Sequence, residues 1–408
     1  MTSICLYFQV HQPFRMRNYH VFEVGKHKPY FDEEKNKEVA KKVARKCYLP
    51  ANKLMLDLIR RANGRFKVSY SISGVALEQF EKYAPEVIES FKELARTGCV
   101  EFLGETYYHS LSFLYSKKEF EEQVRMHDKK IKSLFGQSPR VFRNTELIYS
   151  NEVGKYVEKL GYKAVLAEGW DKILEWRSPN YVYTPLGAKK IKLLLKNYKL
   201  SDDIAFRFSN KSWAEWPLTT EKFAAWVSSI QGQTINLFMD YETIGEHQWE
   251  GTGIFKFLEQ LPFELMRHSH IEFRTPSEVA KMDSVAHLDI PYMISWADLE
   301  RDLSAWLGNK MQESAIQEIY KLETAIKKSK DKKLLDDWRK LQTSDHFYYM
   351  CVKYFSDGDV HKYFNPYDTP YESYIAFMNI LNDLVLRIKK GERKGLFARL
   401  LEKLEAQQ

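Results

Sequence analysis

Short runs of apolar and β-branched residues alternate with longer amphipathic stretches through the first two-thirds of the chain. Alternation of this kind is typical of parallel strands joined by crossover helices. The clearest helical patterns between the runs cover residues 49–63, 75–97, 117–135 and 150–160. The runs that predict strands are 3–10, 66–72, 100–103, 141–145, 164–167, 192–197 and 234–239. Seven such strands come close to a parallel α/β barrel.

The pattern changes after Ile294. The remaining chain has helical spacing, few β-branched runs and many Lys, Glu and Leu residues, which favour helix. Helices are predicted over 297–326, 332–341 and 371–390. We therefore expect two domains, a barrel over residues 1–294 and a helical region over residues 295–408.

Net charge changes this picture little. The 408 residues include 62 Lys and Arg against 55 Asp and Glu, so the formal charge of +7 is small for the length. The basic run at 327–333 lacks the aromatic interleaving of a nucleic-acid patch and fits a solvated connection between helices. We expect no nucleic-acid partner, and the sequence leaves the oligomeric state open.

The cysteines and the N-terminal residues indicate the compartment. Cys5, Cys47, Cys99 and Cys351 are far apart and form no C-x-x-C pair, which argues against a disulfide framework or a thiolate zinc site. The first residues lack the basic and apolar regions of a signal peptide, and no apolar run is long enough to span a membrane. We therefore expect a reduced, cytoplasmic protein with no membrane partner.

Polar residues follow four of the predicted strands. In a parallel barrel the reacting groups lie where strands end, so these positions are candidates for an active site. A purely structural domain does not need a His or a carboxylate at four strand ends. The segments are His11–Pro13, Gly104–His109, Asn144–Glu146 and Asp240–Glu242.

Glu146 and Asp240 have contrasting sequence surroundings. Arg143 or Asn144 could hold the Glu146 carboxylate ionised, through charge or hydrogen bonding, as a nucleophile requires. Asp240 ends an apolar strand beside Tyr241, where partial desolvation would raise its pKa and suit an acid. Either residue alone could equally be a structural ion pair or a helix cap. Together they fit glycoside hydrolysis, which uses one carboxylate at the anomeric carbon and another at the leaving oxygen.

Aromatic residues make up 14% of the chain, and its tryptophans form two groups. Trp249, Trp296 and Trp306 lie beside motif residues, where a ring can stack on a sugar while its N–H reaches a hydroxyl. The second group lies in a proline-punctuated helical stretch and is predicted to be core, namely Trp213, Trp216 and Trp226.

Five segments together resemble the five sequence regions of glycoside hydrolase family 57, closest to its archaeal α-amylase-like branch. They occur in the family's order and extend from the first strand to about Asn309. The resemblance implies an incomplete TIM-like (β/α)7 barrel with a C-terminal helical region, acting on α-glucans by a retaining double displacement. The segments are HQP at 11–13, EFLGETYYHS at 101–110, FRNTELIYSN at 142–151, FMDYETIGEHQW at 238–249 and SWADLERDLSAWLGN at 295–309.

The resemblance assigns roles residue by residue. Glu146 matches the nucleophile and Asp240 the general acid/base, while His11 matches a substrate-contacting position. Glu105 and His109 are placed in the same pocket. The fifth region adds donors to the substrate cleft, namely Asp298, Asp302 and Trp306. The order of Asp and Trp in this region differs from that of the transferase branch, and this difference favours a hydrolase.

Several alternatives remain open. Glucanotransferases, branching enzymes and α-galactosidases of the family share the carboxylate pair. A metal-dependent polysaccharide deacetylase has a related barrel, but it needs a second His in a short His-rich motif, and residues 110–120 contain none after His109. A non-catalytic carbohydrate-binding protein is a third possibility. The double displacement itself requires no metal and no cofactor, and its partner would be an α-glucan or maltooligosaccharide.

Overall fold

The computed structural model describes residues 1–353 and 365–405, with side chains described as far as residue 391. Residues 354–364 and 406–408, which belong to the predicted region 295–408, lie outside the described residues. One sheet contains ten strands: β1 Thr2–Val10, β2 Val68–Ile72, β3 Val100–Phe102, β4 Val141–Arg143, β5 Ala164–Glu168, β6 Tyr183–Pro185, β7 Lys192–Lys196, β8 Thr234–Asp240, β9 Ile271–Phe273 and β10 Ala286–Leu288.

Seven parallel strands close into a ring in the order β1, β2, β3, β4, β5, β7 and β8. The long first strand pairs with β8 over Ser3–Gln9 and with β2 over Tyr7–Val10. Gly104 joins β3 to β4, because its amide donates to the Val141 carbonyl at 2.9 Å and its carbonyl accepts from Arg143 at 2.8 Å. These are the seven strands predicted from the sequence, so the (β/α)7 barrel is confirmed.

The three remaining strands were not predicted. Each has three residues. β6 pairs antiparallel with β7, β10 pairs with β6, and β9 pairs with the first residues of β1. They extend the sheet beyond the seven-stranded ring.

Apolar side chains fill the inside of the barrel. Successive side chains of a strand point to opposite faces, so alternate positions of each strand point inward. The inward residues and their neighbours form one buried cluster: Cys5, Tyr7, Leu103, Val141, Leu147, Ala164, Leu166, Val182, Leu194, Phe238 and Val279.

Every predicted helical pattern contains helix, but some helices, such as Glu33–Val43, were not predicted, the last predicted helix extends to Glu405, and two other predictions differ from the structure. The pattern at 75–97 forms two helices, because the second one restarts at Pro85, whose missing amide hydrogen suits a first helical turn. The α-helices are Glu33–Val43, Leu49–Arg61, Gly74–Tyr83, Pro85–Arg96, Ser112–Tyr115, Lys117–Phe135, Asn151–Lys159, Asp171–Leu174, Tyr198–Asp202, Thr220–Ser229, Ile254–Met266, Pro276–Val279, Ser304–Leu307, Lys310–Lys321, Glu323–Ser329, Lys332–Lys340, Ser344–Tyr348 and Pro370–Glu405.

The second difference concerns the helix predicted over 297–326. Its first part is a loop, and helical structure begins only at Ser304. Asp298 and Arg301 have φ angles of 56° and 50°, and such left-handed residues cannot continue a right-handed helix. The prediction was therefore wrong for residues 297–303.

The chain divides into two compact units. The first comprises Met1–Gln12, Lys37–Tyr107 and Glu121–Leu303 and contains all ten strands. The second comprises Pro13–Asn36, Tyr108–Phe120 and the described residues after Leu303, and its ion pairs include Glu119 with Arg339 at 2.8 Å. The expected boundary between 294 and 295 stays a prediction. Among the described residues, no helix is long and apolar enough to cross a membrane.

Candidate active site

A polar layer lies directly above the apolar interior of the barrel. Each of its members is two positions beyond an inward-facing residue, so the strand pleat directs it to the same side. Around the ring from β3 to β8, carboxylates and cations alternate among its charged side chains. The layer consists of Gln9, Ser71, Glu105, Arg143, Glu168, Lys196 and Asp240.

Glu146 follows β4 in a strained backbone conformation. Its φ and ψ angles are 57° and 26°, and Leu147 follows with a φ of 49°. Left-handed residues other than glycine cost about 1–3 kcal/mol each and cluster at functional sites. The turn is held by hydrogen bonds within it and by the pair between Tyr149 and Ile294, with both N–H···O distances 2.9 Å. This turn brings the Glu146 carboxylate to a buried position at the end of the barrel.

Trp296 holds Glu146 through two hydrogen bonds. The indole Nε1–H donates to Glu146 Oε2 at 2.8 Å, and the Trp296 amide donates to the Glu146 carbonyl at 3.2 Å. The Arg143 guanidinium lies 4.8 Å and the Lys196 ammonium 5.4 Å from the centroid of the Trp296 ring. The N–H predicted to reach a sugar hydroxyl therefore binds the candidate nucleophile instead.

The side chains of Arg143 and Asn144 do not hydrogen-bond Glu146, although the sequence offered both as partners. The Asn144 amide donates to the Ile148 carbonyl at 2.9 Å and thereby closes the turn. The Arg143 guanidinium is fully buried, and its nitrogens have no hydrogen-bond partner among the described residues. Trp296, 150 positions away along the chain, occupies the role expected of these neighbours.

Glu242 is a buried carboxyl group that the sequence analysis did not single out. It accepts hydrogen bonds from the Tyr48 hydroxyl and, at 3.4 Å, from Gln12 Nε2. Burial, reinforced by the charge of nearby Asp240, raises the pKa of Glu242 to about 8, against the smaller opposing effect of these hydrogen bonds. The signal was present in the sequence, because Glu242 and Asp240 lie two positions apart after an apolar strand.

Asp240 is the last residue of β8, and it is half-buried. It therefore lies at the carboxyl end of the same ring as Glu146. Its charge also contributes to the raised pKa of the Tyr7 phenol, for which burial is the largest cause. Both candidate catalytic carboxylates thus belong to the polar end of the barrel interior.

His11 and Glu105 follow β1 and β3, the two strands that flank β2 in the ring. His11 Nδ1 lies 2.7 Å from the Ser73 hydroxyl, which also caps the helix Gly74–Tyr83 by accepting from Ala76. Glu105 is buried and accepts from Gln9 Nε2 at 3.1 Å. Gln9 thus connects the strand that carries His11 to Glu105.

A group of four charged residues, Glu168, Lys196, Asp202 and Arg301, was not found from the sequence. Lys196 Nζ lies 3.0 Å from Asp202 and 3.7 Å from Glu168, and Arg301 contacts the same two carboxylates at 3.5 and 3.8 Å. Burial alone would lower the pKa of Lys196, but the two carboxylates outweigh it and raise that pKa. Burial raises the pKa of Glu168 against the opposing charges of Lys196 and Arg301. Glu168 and Lys196 end two predicted strands on the inward side, which is the signal that could have found them.

The candidate substrate-binding residues of the first unit lie in different surroundings. Trp249 is 69% exposed, and its neighbour Gln248 donates to the Ala205 carbonyl at 3.0 Å, beside the half-exposed Phe206. Asp298 is buried in the loop that follows Trp296. Asp302 is exposed, and its carbonyl accepts from the Ser295 hydroxyl at 2.6 Å.

His109 and Trp306 belong to the second unit. His109 has a φ of 50°, and its carbonyl accepts from the Ser344 amide at 2.9 Å. Trp306 is fully buried, with its ring centroid 6.4 Å from that of Tyr348. The Trp306 ring therefore exposes no face in this structure on which a sugar could stack as predicted.

The three tryptophans predicted to be core, Trp213, Trp216 and Trp226, are not core residues. Trp216 is 42% exposed, while Trp213 and Trp226 are half-buried. Trp213 and Trp226 pack edge to face with centroids 6.2 Å apart. The segment around Trp216 consists of turns instead of the predicted helix, so it presents this ring to solvent.

Among the described residues, no group of three or more His, Cys, Asp or Glu side chains is arranged to hold a metal ion.

Comparisons with known proteins agree with this fold. The family model described as Glycosyl hydrolase family 57 matches residues 5–295. A protein of Methanocaldococcus jannaschii described as "Putative alpha-amylase" is 45% identical over 405 residues, which cover 96% of this chain and 85% of that relative.

Solved structures of low sequence identity share the fold. A GH57-type branching enzyme from Pyrococcus horikoshii is 16% identical with a TM-score of 0.66, covering 94% of this chain and 88% of that one. The 4-alpha-glucanotransferase of Thermococcus litoralis is 16% identical with a TM-score of 0.64, covering 85% of this chain but only 56% of the transferase. The molecule thus shares the barrel fold of these enzymes. The chain belongs to glycosyl hydrolase family 57.

Proposed function

We propose that the chain is a retaining glycoside hydrolase that cleaves α-1,4-glucosidic bonds of α-glucans, as an α-amylase does. The observation that carries this proposal is the buried, strained Glu146, whose carboxylate is fixed by Trp296 at the same end of the barrel as Asp240. The names of the relatives support the substrate class, since they include an amylase, a branching enzyme and a glucanotransferase.

In the first step Glu146 attacks the anomeric carbon while Asp240 donates a proton to the departing glycosidic oxygen. The bond between this oxygen and the anomeric carbon breaks, and a β-linked glycosyl-enzyme ester forms. In the second step Asp240 takes a proton from a water molecule, which attacks the same carbon and releases Glu146. Two inversions at the anomeric carbon give net retention of configuration.

Several polar and aromatic groups are proposed to bind the glucan. His11 and Glu105 line the polar end of the barrel, with His109 as a further candidate. Trp249 offers a broad exposed ring, which suits stacking against the apolar face of a glucosyl unit, and Phe206 lies beside the same segment. Asp298 and Asp302 are proposed donors from the loop that carries Trp296.

Product analysis on maltoheptaose tests this function. The wild-type protein is expected to release only shorter maltooligosaccharides, whereas Glu146→Gln and Asp240→Asn should each lose nearly all turnover and keep the wild-type circular dichroism. Turnover retained by Glu146→Gln would overturn the nucleophile assignment.

Other products would identify the remaining candidates. Oligosaccharides longer than maltoheptaose would show transfer to a sugar hydroxyl in place of water. Acetate released from an acetylated polysaccharide, in a reaction stopped by a chelator, would show a deacetylase. Glucan binding by calorimetry without any product would show a carbohydrate-binding protein.

A further inference from the structure

The indole of Trp296 connects the proposed nucleophile to a buried cation. On one side its N–H donates to Glu146 Oε2 at 2.8 Å. On the other side the Arg143 guanidinium lies over the ring at 4.8 Å from its centroid, well within the range of a cation–π interaction. The chain therefore presents a continuous contact from guanidinium to indole to carboxylate.

Arg143 differs from the second cation near this ring. Lys196 is neutralised by Asp202 and Glu168, which lie 3.0 and 3.7 Å from its ammonium group. Arg143 is fully buried, and its three guanidinium nitrogens have no hydrogen-bond partner among the described residues. A buried charge without such a partner is costly, so its position against Trp296 calls for a functional explanation.

We propose that Trp296 and Arg143 are positioning residues for Glu146, with the indole N–H fixing one carboxylate oxygen and the guanidinium strengthening that donor. A cation over the indole draws electron density from the ring and makes its N–H more polar, which strengthens a hydrogen bond to a carboxylate. Fixing Oε2 restricts rotation of the carboxylate, so the other oxygen is directed at the anomeric carbon. This inference rests on the proposed role of Glu146.

The competing role for Trp296 is a stacking platform for a sugar. Two cations already lie over its ring, and its N–H is already bonded to Glu146. The two roles have different kinetic consequences, because a platform acts in substrate binding whereas a positioning group acts on the chemical step.

The test compares Trp296→Phe, Arg143→Met and Arg143→Lys with the wild type on maltoheptaose. Trp296→Phe removes only the N–H donor and part of the ring, so kcat should fall about ten- to a hundredfold, as expected for loss of a hydrogen bond to a charged group, with KM within about twofold. The acid limb of kcat/KM should move to higher pH, because the ionised form of Glu146 loses the hydrogen bond from the indole. Arg143→Met should shift this limb in the same direction, and Arg143→Lys should restore much of the wild-type profile.

Trp176→Phe is the matched control. Trp176 also has an arginine 4.8 Å from its ring centroid, Arg177, but it is 83% exposed and is not among the residues proposed to hold Glu146 or to bind the glucan. Its replacement should leave kcat, KM and the acid limb unchanged.

A raised KM at wild-type kcat with an unmoved acid limb in Trp296→Phe would overturn the inference in favour of the platform. If Trp296→Phe does not fold by circular dichroism, identical acid limbs in Arg143→Met and wild type would overturn it. Failure of the function itself looks different, since the wild type would then be inactive on α-glucans or Glu146→Gln would remain active.

Discussion

Glu242 shows how one residue can acquire an unusual protonation state from its surroundings. Its buried carboxyl group accepts hydrogen bonds from Tyr48 and Gln12. Asp240, the last residue of β8, lies two positions earlier in the chain. Because burial and a like charge both disfavour ionisation, the neutral form persists to about pH 8. A neutral Glu242 spares the site a second negative charge beside Asp240.

The raised pKa of Glu242 predicts a pH-dependent stability. Between about pH 4.5 and 8 the unfolded chain releases this proton and the folded chain keeps it, so the folded state loses stability as pH rises through that window. Glu242→Gln keeps an oxygen that accepts from Tyr48 and Gln12 but cannot ionise. Urea unfolding should therefore show that the free energy of unfolding of the variant, relative to that of the wild type, increases with pH. The increase should be at most about 1.4 kcal/mol per pH unit and should stop above pH 8.

The exposed Glu250→Gln serves as the control for this experiment, since a solvated carboxylate changes its environment little on folding. A stability difference between Glu242→Gln and wild type that stays constant from pH 5 to 8 would contradict the assignment.

The candidate site was predictable residue by residue where neighbours in sequence are neighbours in space. Glu146 and Asp240 follow apolar strands, and this alone located them at the end of the barrel. The Trp296–Glu146 hydrogen bond joins positions 150 residues apart, which no local pattern encodes. Glu242 is an intermediate case, because Asp240 lies two positions away in the sequence, whereas its hydrogen-bond partner Tyr48 lies 194 positions away.

At the scale of elements, the seven barrel strands were predictable because each has an apolar run bounded by polar or turn residues. The alternation of side chains along each strand could also have predicted which polar residues face the barrel interior. In β4, Val141 lies in the interior cluster, so Arg143 must face the same side. The loop over 297–303 was not predictable from its helical pattern, since its left-handed residues are held by contacts such as Ser295 with Asp302.

The junction between β3 and β4 depends on Gly104. Its amide and carbonyl complete the ring, and an added Cβ would overlap the Tyr162 hydroxyl and lie 2.8 Å from Tyr162 Cε1. The Tyr162 ring has little freedom to move, because its hydroxyl donates to Asp128 at 2.8 Å and it packs against Phe142. Gly104→Ala should therefore lower the free energy of unfolding by about 1–3 kcal/mol, as overpacking does.

Thermal unfolding measures the effect of Gly104→Ala. Gly251→Ala is the control, because nothing lies within 4 Å of an added Cβ there. Adding Tyr162→Phe to Gly104→Ala should recover part of the loss by removing the nearest atom. Equal midpoints for the two alanine variants would show that the junction can relax around the added methyl group.

At the scale of the whole molecule, formal charge and proposed substrate are unrelated. The +7 charge is small for 408 residues, and an α-glucan has no charge for it to attract. The charges of the polar layer act at short range inside the barrel, where Lys196 and Arg301 are paired with buried carboxylates. Long-range steering, which salt screens, therefore has no part in substrate capture.

Because the proposed substrate is uncharged and the charged pairs of the site are buried, we predict that maltoheptaose kinetics respond weakly to salt. Between about 0.05 and 0.5 M NaCl the Debye length falls from about 14 to 4 Å, which removes interactions between exposed charges but leaves buried pairs nearly intact. KM and kcat should each change by less than about twofold. A KM for maltoheptaose that rises steeply with NaCl would instead show that exposed charges help to bind or position this neutral sugar, and it would contradict the prediction. Potassium glutamate in place of NaCl separates screening from specific chloride binding, because screening depends on ionic strength alone.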